Sequence, residues 1–271
     1  MAFTLSGLLD CFGKRGKKKG RQGGMVPAPA VLPDDVIVYA VGDIHGHSAL
    51  LRRLLDRIVD HAATFGQGRR AVLVFLGDYV DRGPDSRGAV DLVMNPPPGF
   101  TVRALMGNHE QAMLDFIDDP EKGQHWIRWS PATLASYGLE GEGPLAVDAG
   151  ARRLLRDRLV AALPSGHLDF YRGLETMVEY GGYAFVHAGV RPGVPLAAQT
   201  AEDLIWIREP FLDWPAPFEK VIVHGHSITG TPVIRRNRIG IDTGAYSSGI
   251  LTALALCGDG MGLIQVGKRG R

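Results

Sequence analysis

Val36-Ile37-Val38-Tyr39-Ala40-Val41-Gly42-Asp43-Ile44-His45-Gly46 decides the fold. Its first six residues are apolar and mostly β-branched, the pattern of a buried strand. The strand runs straight into an acid and an imidazole flanked by glycines. Residues 48–62 read as a helix. Ser48 can cap it, and Leu50, Leu51, Leu54, Leu55, Ile58 and Val59 recur at helical spacing. Ala71–Leu76 is a second buried strand and 85–94 a second helix. Thr101–Met106 is a third strand, and 109–118 opens a third helix. A β-α-β-α-β series predicts an α/β architecture with helices laid on a sheet.

Beyond 118 the pattern changes. Residues 124–163 read as mostly helical, with weak turns at 138–143. Leu174–Tyr180, Tyr183–Val186, Val221–His224, Val233–Arg236, Ile239–Asp242, Ile250–Leu256 and Gly262–Val266 read as short strands. Gly181-Gly182 is a hairpin signal. There is no internal repeat.

Composition bounds the class. The chain has 271 residues, 45% hydrophobic and 22% charged, ordinary for a globular protein. The net charge of +1 conceals a split. Residues 1–24 carry six bases and one acid, 268–271 carry three bases, and 25–267 carry 21 bases against 28 acids. An acidic body is no nucleic-acid binder by default. Residues 1–33, basic and then proline-punctuated, read as a disordered tail, 34–267 as one catalytic domain, and 268–271 as a short basic tail. Phe3, Leu5, Leu8, Leu9 and Phe12 beside the basic run also have the pattern of a weak membrane-surface contact, although a solvated tail is the plainer reading. Cys11 and Cys257 make no disulfide framework, which points to a reducing, cytoplasmic setting. The N-terminal order, apolar then basic, is not that of a secretory signal, and no apolar stretch is long enough to span a membrane.

Polar clusters follow five strands. Gly42-Asp43-Ile44-His45-Gly46 follows the first, Gly77-Asp78-Tyr79-Val80-Asp81-Arg82-Gly83 the second, and Gly107-Asn108-His109-Glu110 the third. His187-Ala188-Gly189 and His224-Gly225-His226 follow later strands. Open α/β sheets bind ligands at the carboxyl ends of their strands. A lone Asp-x-His would mean little, but five such clusters point to a metal site. No cysteine is among them, so a thiolate zinc site is excluded. Carboxylates, imidazoles and one amide oxygen suit Mn²⁺, Fe or Zn²⁺. The candidates are too many for one ion, whereas two ions bridged by a carboxylate fit.

This set resembles the metallophosphoesterase superfamily, and more narrowly the PPP phosphoprotein phosphatases of bacterial and bacteriophage lambda type. Trp206-Ile207-Arg208-Glu209 and Ile241-Asp242-Thr243-Gly244-Ala245 are similar to later segments of that type. The likeness runs from about Val36 to Val266. It implies an αββα sandwich of two mixed sheets. It implies Asp43 and His45 as ligands of one metal, Asp78 as the bridge, and Asn108, His187 and His226 as ligands of the other, with Mn²⁺ the expected ion. Direct attack on phosphorus by a hydroxide held between the ions follows from the same resemblance. Arg82, Asn108 and Arg208 would bind the phosphate, His109 would protonate the leaving group, and Asp81 would orient His109.

Two positions depart from wider patterns. Ile228 stands where many superfamily members have a further histidine, and Met106 where eukaryotic phosphatases have arginine. Other residues read more plainly. Glu110 is a helix-start acid, Asp242 a buried hydrogen-bonding group beneath the site, and Cys257 a core residue. His47, His61, His125 and His167 match no ligand position. His224, two residues before His226 on a strand, is expected to share its face. The resulting expectation is a metal-dependent serine/threonine phosphatase acting on phosphoproteins or small phosphoesters. The rivals are a symmetrical diadenosine tetraphosphatase, whose second motif has Ala where this chain has Asp81, and a silent regulatory module.

Overall fold

A computed structural model describes residues 25–267. One sheet holds six strands in the order β1-β11-β10-β2-β3-β4. These are β1 (Val26–Pro27), β2 (Val36–Val41), β3 (Arg70–Phe75), β4 (Phe100–Ala104), β10 (Ile250–Cys257) and β11 (Gly260–Gly267). The other holds five, β5-β6-β7-β9-β8: β5 (Met177–Tyr180), β6 (Tyr183–Val186), β7 (Val221–His224), β8 (Val233–Ile234) and β9 (Arg238–Gly240). Both sheets are mixed. β2, β3 and β4 run parallel, and β10 is antiparallel to β2. β6, β7 and β9 run parallel between two antiparallel edges. Helices α1 (Ser48–Phe65), α2 (Ser86–Met94) and α3 (Asn108–Asp118) follow the first three long strands.

Strand alternation makes the layers. Val36, Val38 and Ala40 of β2, with Val72 and Val74 of β3, join Tyr183, Phe185, Val221, Val223 and Ile239 in an inter-sheet core. The intervening Ile37, Tyr39, Val41, Leu73 and Phe75 pack with Leu51, Leu54, Leu55 and Ile58 of α1 and Val90 and Val93 of α2. Each fully buried side chain of this kind stabilises the fold by about 1.5–3 kcal/mol. The result is the αββα sandwich of two mixed sheets flanked by helices. Ser48 is the first residue of α1 rather than its cap. Its hydroxyl donates instead to Asp85 Oδ2 at 2.5 Å, and Asp85 caps α2 by accepting from Gly88 N at 2.9 Å.

Residues 26–32, expected within a disordered tail over 1–33, are seated on the body of the fold. Val26 and Pro27 pair with Met261 and Gly260. Leu32 N donates to Gly258 O at 2.8 Å, Tyr183 Oη donates to Ala30 O at 2.7 Å, and Leu32 is buried. Proline is tolerated on an edge strand, so these prolines do not prevent docking. Residues 1–24 and 268–271, including the membrane-contact segment, lie outside the described residues. Three short helices among the described residues escaped the sequence reading: α6 (His167–Arg172), α7 (Ala201–Trp206) and α8 (Ala245–Ser248), the first preceded by α4 (Pro131–Ser136) and α5 (Ala149–Ala162). Six residues are too few for periodicity to declare a helix. Among the described residues no helix is long and apolar enough to cross a membrane.

Candidate active site

The five non-glycine residues with positive φ among those described are His45 (44°), Asp78 (53°), Asp81 (68°), Arg82 (66°) and His226 (60°). Left-handed backbone costs an ordinary residue about 1–2 kcal/mol. Each sits in a turn just after a strand and re-aims its side chain. Together they line or underlie a cavity of about 300 Å³ bounded by Asp43, His45, Asp78, Arg82, Asn108, His109, Arg208, His226, Ile228, Asp242 and Tyr246. Close approach is built in as well: a Cβ at Gly225 would collide with the Asp43 carboxylate, and one at Gly107 with that of Asp78.

The imidazoles divide into two kinds. His45 Nδ1 donates to Val80 O at 2.9 Å and His187 Nδ1 to Leu76 O at 2.7 Å, which leaves a lone pair on each Nε2. Burial pushes His45 and His226 down to about 3 and lowers His187 as well. All three are neutral, the form that binds metals. His109 goes the other way. Burial opposes its protonation, but the Asp78 charge and a 2.6 Å hydrogen bond from His109 Nδ1 to Asp81 Oδ2 raise it. Asp81 is itself held by Thr133 Oγ1 at 2.6 Å and Trp126 Nε1 at 3.1 Å. His109 Nε2 lies 3.3 Å from Arg82 Nη2 on the cavity side.

The donor set fits divalent ions. Asp78 Oδ2 lies 3.4 Å from His45 Nε2 and Oδ1 lies 3.4 Å from His187 Nε2, so one carboxylate serves two groups. His45, Asp78 and His109 form one candidate cluster, and Asp78, His187 and His226 another. Asn108 Oδ1 sits 3.1 Å from His187 Nε2 and 2.9 Å from His226 Nδ1. His187 Nε2 carries a lone pair, so it and the amide oxygen face each other with no hydrogen between them, an arrangement a shared cation stabilises. Asp43 accepts from His226 N at 3.0 and 3.2 Å. Burial first, then Asp242 and Asp78, push its carboxyl well up, and Asp242 is raised to about 6. Cations would relieve this crowding of buried carboxylates.

Every residue singled out for the site thus borders or supports one cavity. Arg82 lies over the Tyr246 ring at 4.4 Å, and Arg208 Nη1 donates to Ser227 Oγ at 3.1 Å. Glu110 accepts from the backbone N–H groups of Asp78, Tyr79, Val80 and Gly107 at 2.7–3.1 Å, tying the second and third turns together. His224 does not share the face of His226. Strand β7 ends at His224, which packs on Phe211 and meets Arg238 Nη1 at 3.2 Å, while the positive φ of His226 turns its ring into the cavity. His61 and His167 are buried away from the cavity, bonded to Tyr39 and Tyr137. Sequence reading missed Tyr246, Trp126, Thr133 and Trp129, whose ring lies 4.7 Å from that of His109. None of them carries a local motif.

Residues 37–243 match the metallophosphoesterase family described as calcineurin-like phosphoesterase, and the chain belongs to that family. It is 33% identical over 131 residues to a symmetrical bis(5'-nucleosyl)-tetraphosphatase of Delftia acidovorans, covering 42% of this chain and 44% of that one. It is 28% identical over 239 residues to the asymmetrical bis(5'-nucleosyl)-tetraphosphatase PrpE of Halalkalibacterium halodurans, covering 79% and 87%. Serine/threonine-protein phosphatase 1 of Salmonella typhimurium is 40% identical over 79 residues, covering 29% and 32%. The Delftia and Salmonella matches therefore span less than half of those relatives. A solved structure provisionally assigned as a diadenosine tetraphosphatase shares the fold, with a TM-score of 0.59 at 22% identity, covering 89% of this chain and all of that one.

Proposed function

We propose that this metallophosphoesterase hydrolyses dinucleoside tetraphosphates symmetrically, releasing two nucleoside diphosphates. The observation that carries the phosphoester chemistry is a pair of metal-type donor sets sharing Asp78, one of them bordered by the raised His109, beside two arginines. The dinucleotide reading draws on the relatives: the match to PrpE, itself asymmetrical, extends over most of both chains, the symmetrical cut follows the Delftia relative, and the match to a protein phosphatase covers less than a third. It displaces the phosphoprotein expectation as the preferred reading.

Asp43, His45 and Asp78 would hold one divalent ion, and Asp78, Asn108, His187 and His226 the other, with Mn²⁺ expected. Bound there, the ions supply Lewis acidity for water and offset the phosphate charge. The chain's own groups do the rest. Arg82 and Arg208 hold anionic oxygens through planar donor forks. His109 Nε2 presents a proton to the departing oxygen, and Asp81 fixes the tautomer by accepting from Nδ1.

One observation favours the second reading, a phosphoserine and phosphothreonine phosphatase. The Asp81–His109 pair suits a strongly basic leaving alkoxide, whereas a departing phosphate, with a pKa of about 6, needs little protonation. Product analysis on diadenosine tetraphosphate with Mn²⁺ tests the proposal. Two ADP per substrate are expected. ATP and AMP would make the enzyme asymmetrical, and no cleavage beside rapid phosphopeptide hydrolysis would install the second reading.

A further inference from the structure

An aromatic ridge runs outward from the cavity beside His109. The Trp129 ring lies 4.7 Å from that of His109 and 6.2 Å from that of Trp206, and His125 meets Trp129 edge-on at 5.7 Å. Trp206 also stands 6.4 Å from the His226 ring. The two indoles come from distant parts of the chain. Trp129 follows the 3₁₀ turn Gly123–Arg128, and Trp206 is the last residue of α7. Trp206 is 38% exposed and Ile228, on the cavity wall, 47% exposed, so two apolar side chains face water close to a charged site.

We propose that Trp206, backed by Trp129 and His125, is the stacking platform for the purine base of the departing nucleotide. The inference rests on the dinucleotide reading above. Placement gives the reason. The phosphates belong between Arg82 and Arg208, and the departing oxygen leaves on the side that His109 Nε2 faces. Trp129 covers His109, so the group leaving from that side passes along Trp129 to the open face of Trp206. Every base has a π-face, and stacking on an aromatic side chain contributes on the order of tenfold in affinity or more.

Calorimetry on the full, Mn²⁺-loaded chain tests this with AMP and ribose 5-phosphate, which differ only in the base. The wild type is expected to bind AMP about tenfold more tightly. Trp206→Ala should erase that preference while leaving ribose 5-phosphate binding as it was, which also reports that the fold is intact. Trp206→Phe should keep most of the preference. Equal binding of the two ligands by the wild type, or an AMP preference that survives Trp206→Ala, would overturn the proposal. Loss of phosphopeptide binding in Trp206→Ala, with the AMP preference intact, would overturn it in favour of a peptide groove. The platform and the activity fail separately. A base preference lost in Trp206→Ala upholds the platform even if the wild type leaves diadenosine tetraphosphate uncut, a result that defeats only the activity.

Discussion

His109 differs from the other site imidazoles in its partner. His45 and His187 point Nδ1 at carbonyl oxygens and stay neutral, whereas His109 points Nδ1 at the Asp81 carboxylate and is raised. Environments that push like groups apart mark acid against ligand. His109→Asn should therefore lower kcat on a phosphoserine peptide by about 10²–10⁴-fold, and far less on a dinucleoside tetraphosphate, whose leaving group needs little protonation. Equal losses on both substrates would refute this leaving-group argument. The ligand-type residues were legible because each follows a strand directly in sequence. The residues that hold Asp81 were not. Trp126 and Thr133 reach it from the segment after α3, and nothing near Asp81 in the sequence announces them.

At the scale of elements, the site is a set of turns locked to one another. Glu110, at the start of α3, accepts from four backbone N–H groups in the turns after β3 and β4. Leaving buried donors unpaired costs about 1–3 kcal/mol each, less whatever water recovers. Glu110→Ala should thus lower unfolding stability by at least ~3 kcal/mol in urea titration and weaken Mn²⁺ binding; a loss below ~1 kcal/mol would show the turns hold without it. Gly225→Ala should weaken Mn²⁺ binding too, since its Cβ would displace Asp43. The long strands were readable because burial on both faces leaves a continuous apolar run, and β2 alternates between the two cores residue by residue. The placing of His224 with His226 failed because alternation stops where the strand stops, and sequence does not show that His226 has already entered a left-handed turn.

For the whole molecule, the boundary of the domain is itself testable. Val26 and Pro27 pair with β11 and Leu32 is buried, so removing 1–33 should lower Tm markedly, while removing 1–24 should leave both Tm and turnover of a small phosphoester near wild type. Matching Tm losses in the two deletions would assign the stabilisation to the basic segment instead. The acidic body also has a local reading, because Asp43, Asp78, Asp81 and Asp242 are buried around one cavity rather than spread as surface charge. Ions that bind only the folded chain stabilise it, so chelation should lower Tm and added Mn²⁺ should restore it. An unchanged Tm would argue against a metal seat.

The most direct test is kcat/KM for diadenosine tetraphosphate and for a phosphoserine peptide, measured side by side on one preparation with Mn²⁺ and again after exhaustive chelation. The expected result is Mn²⁺-dependent cleavage that strongly favours the dinucleotide. Full activity after chelation, or preference for the phosphopeptide, would contradict it.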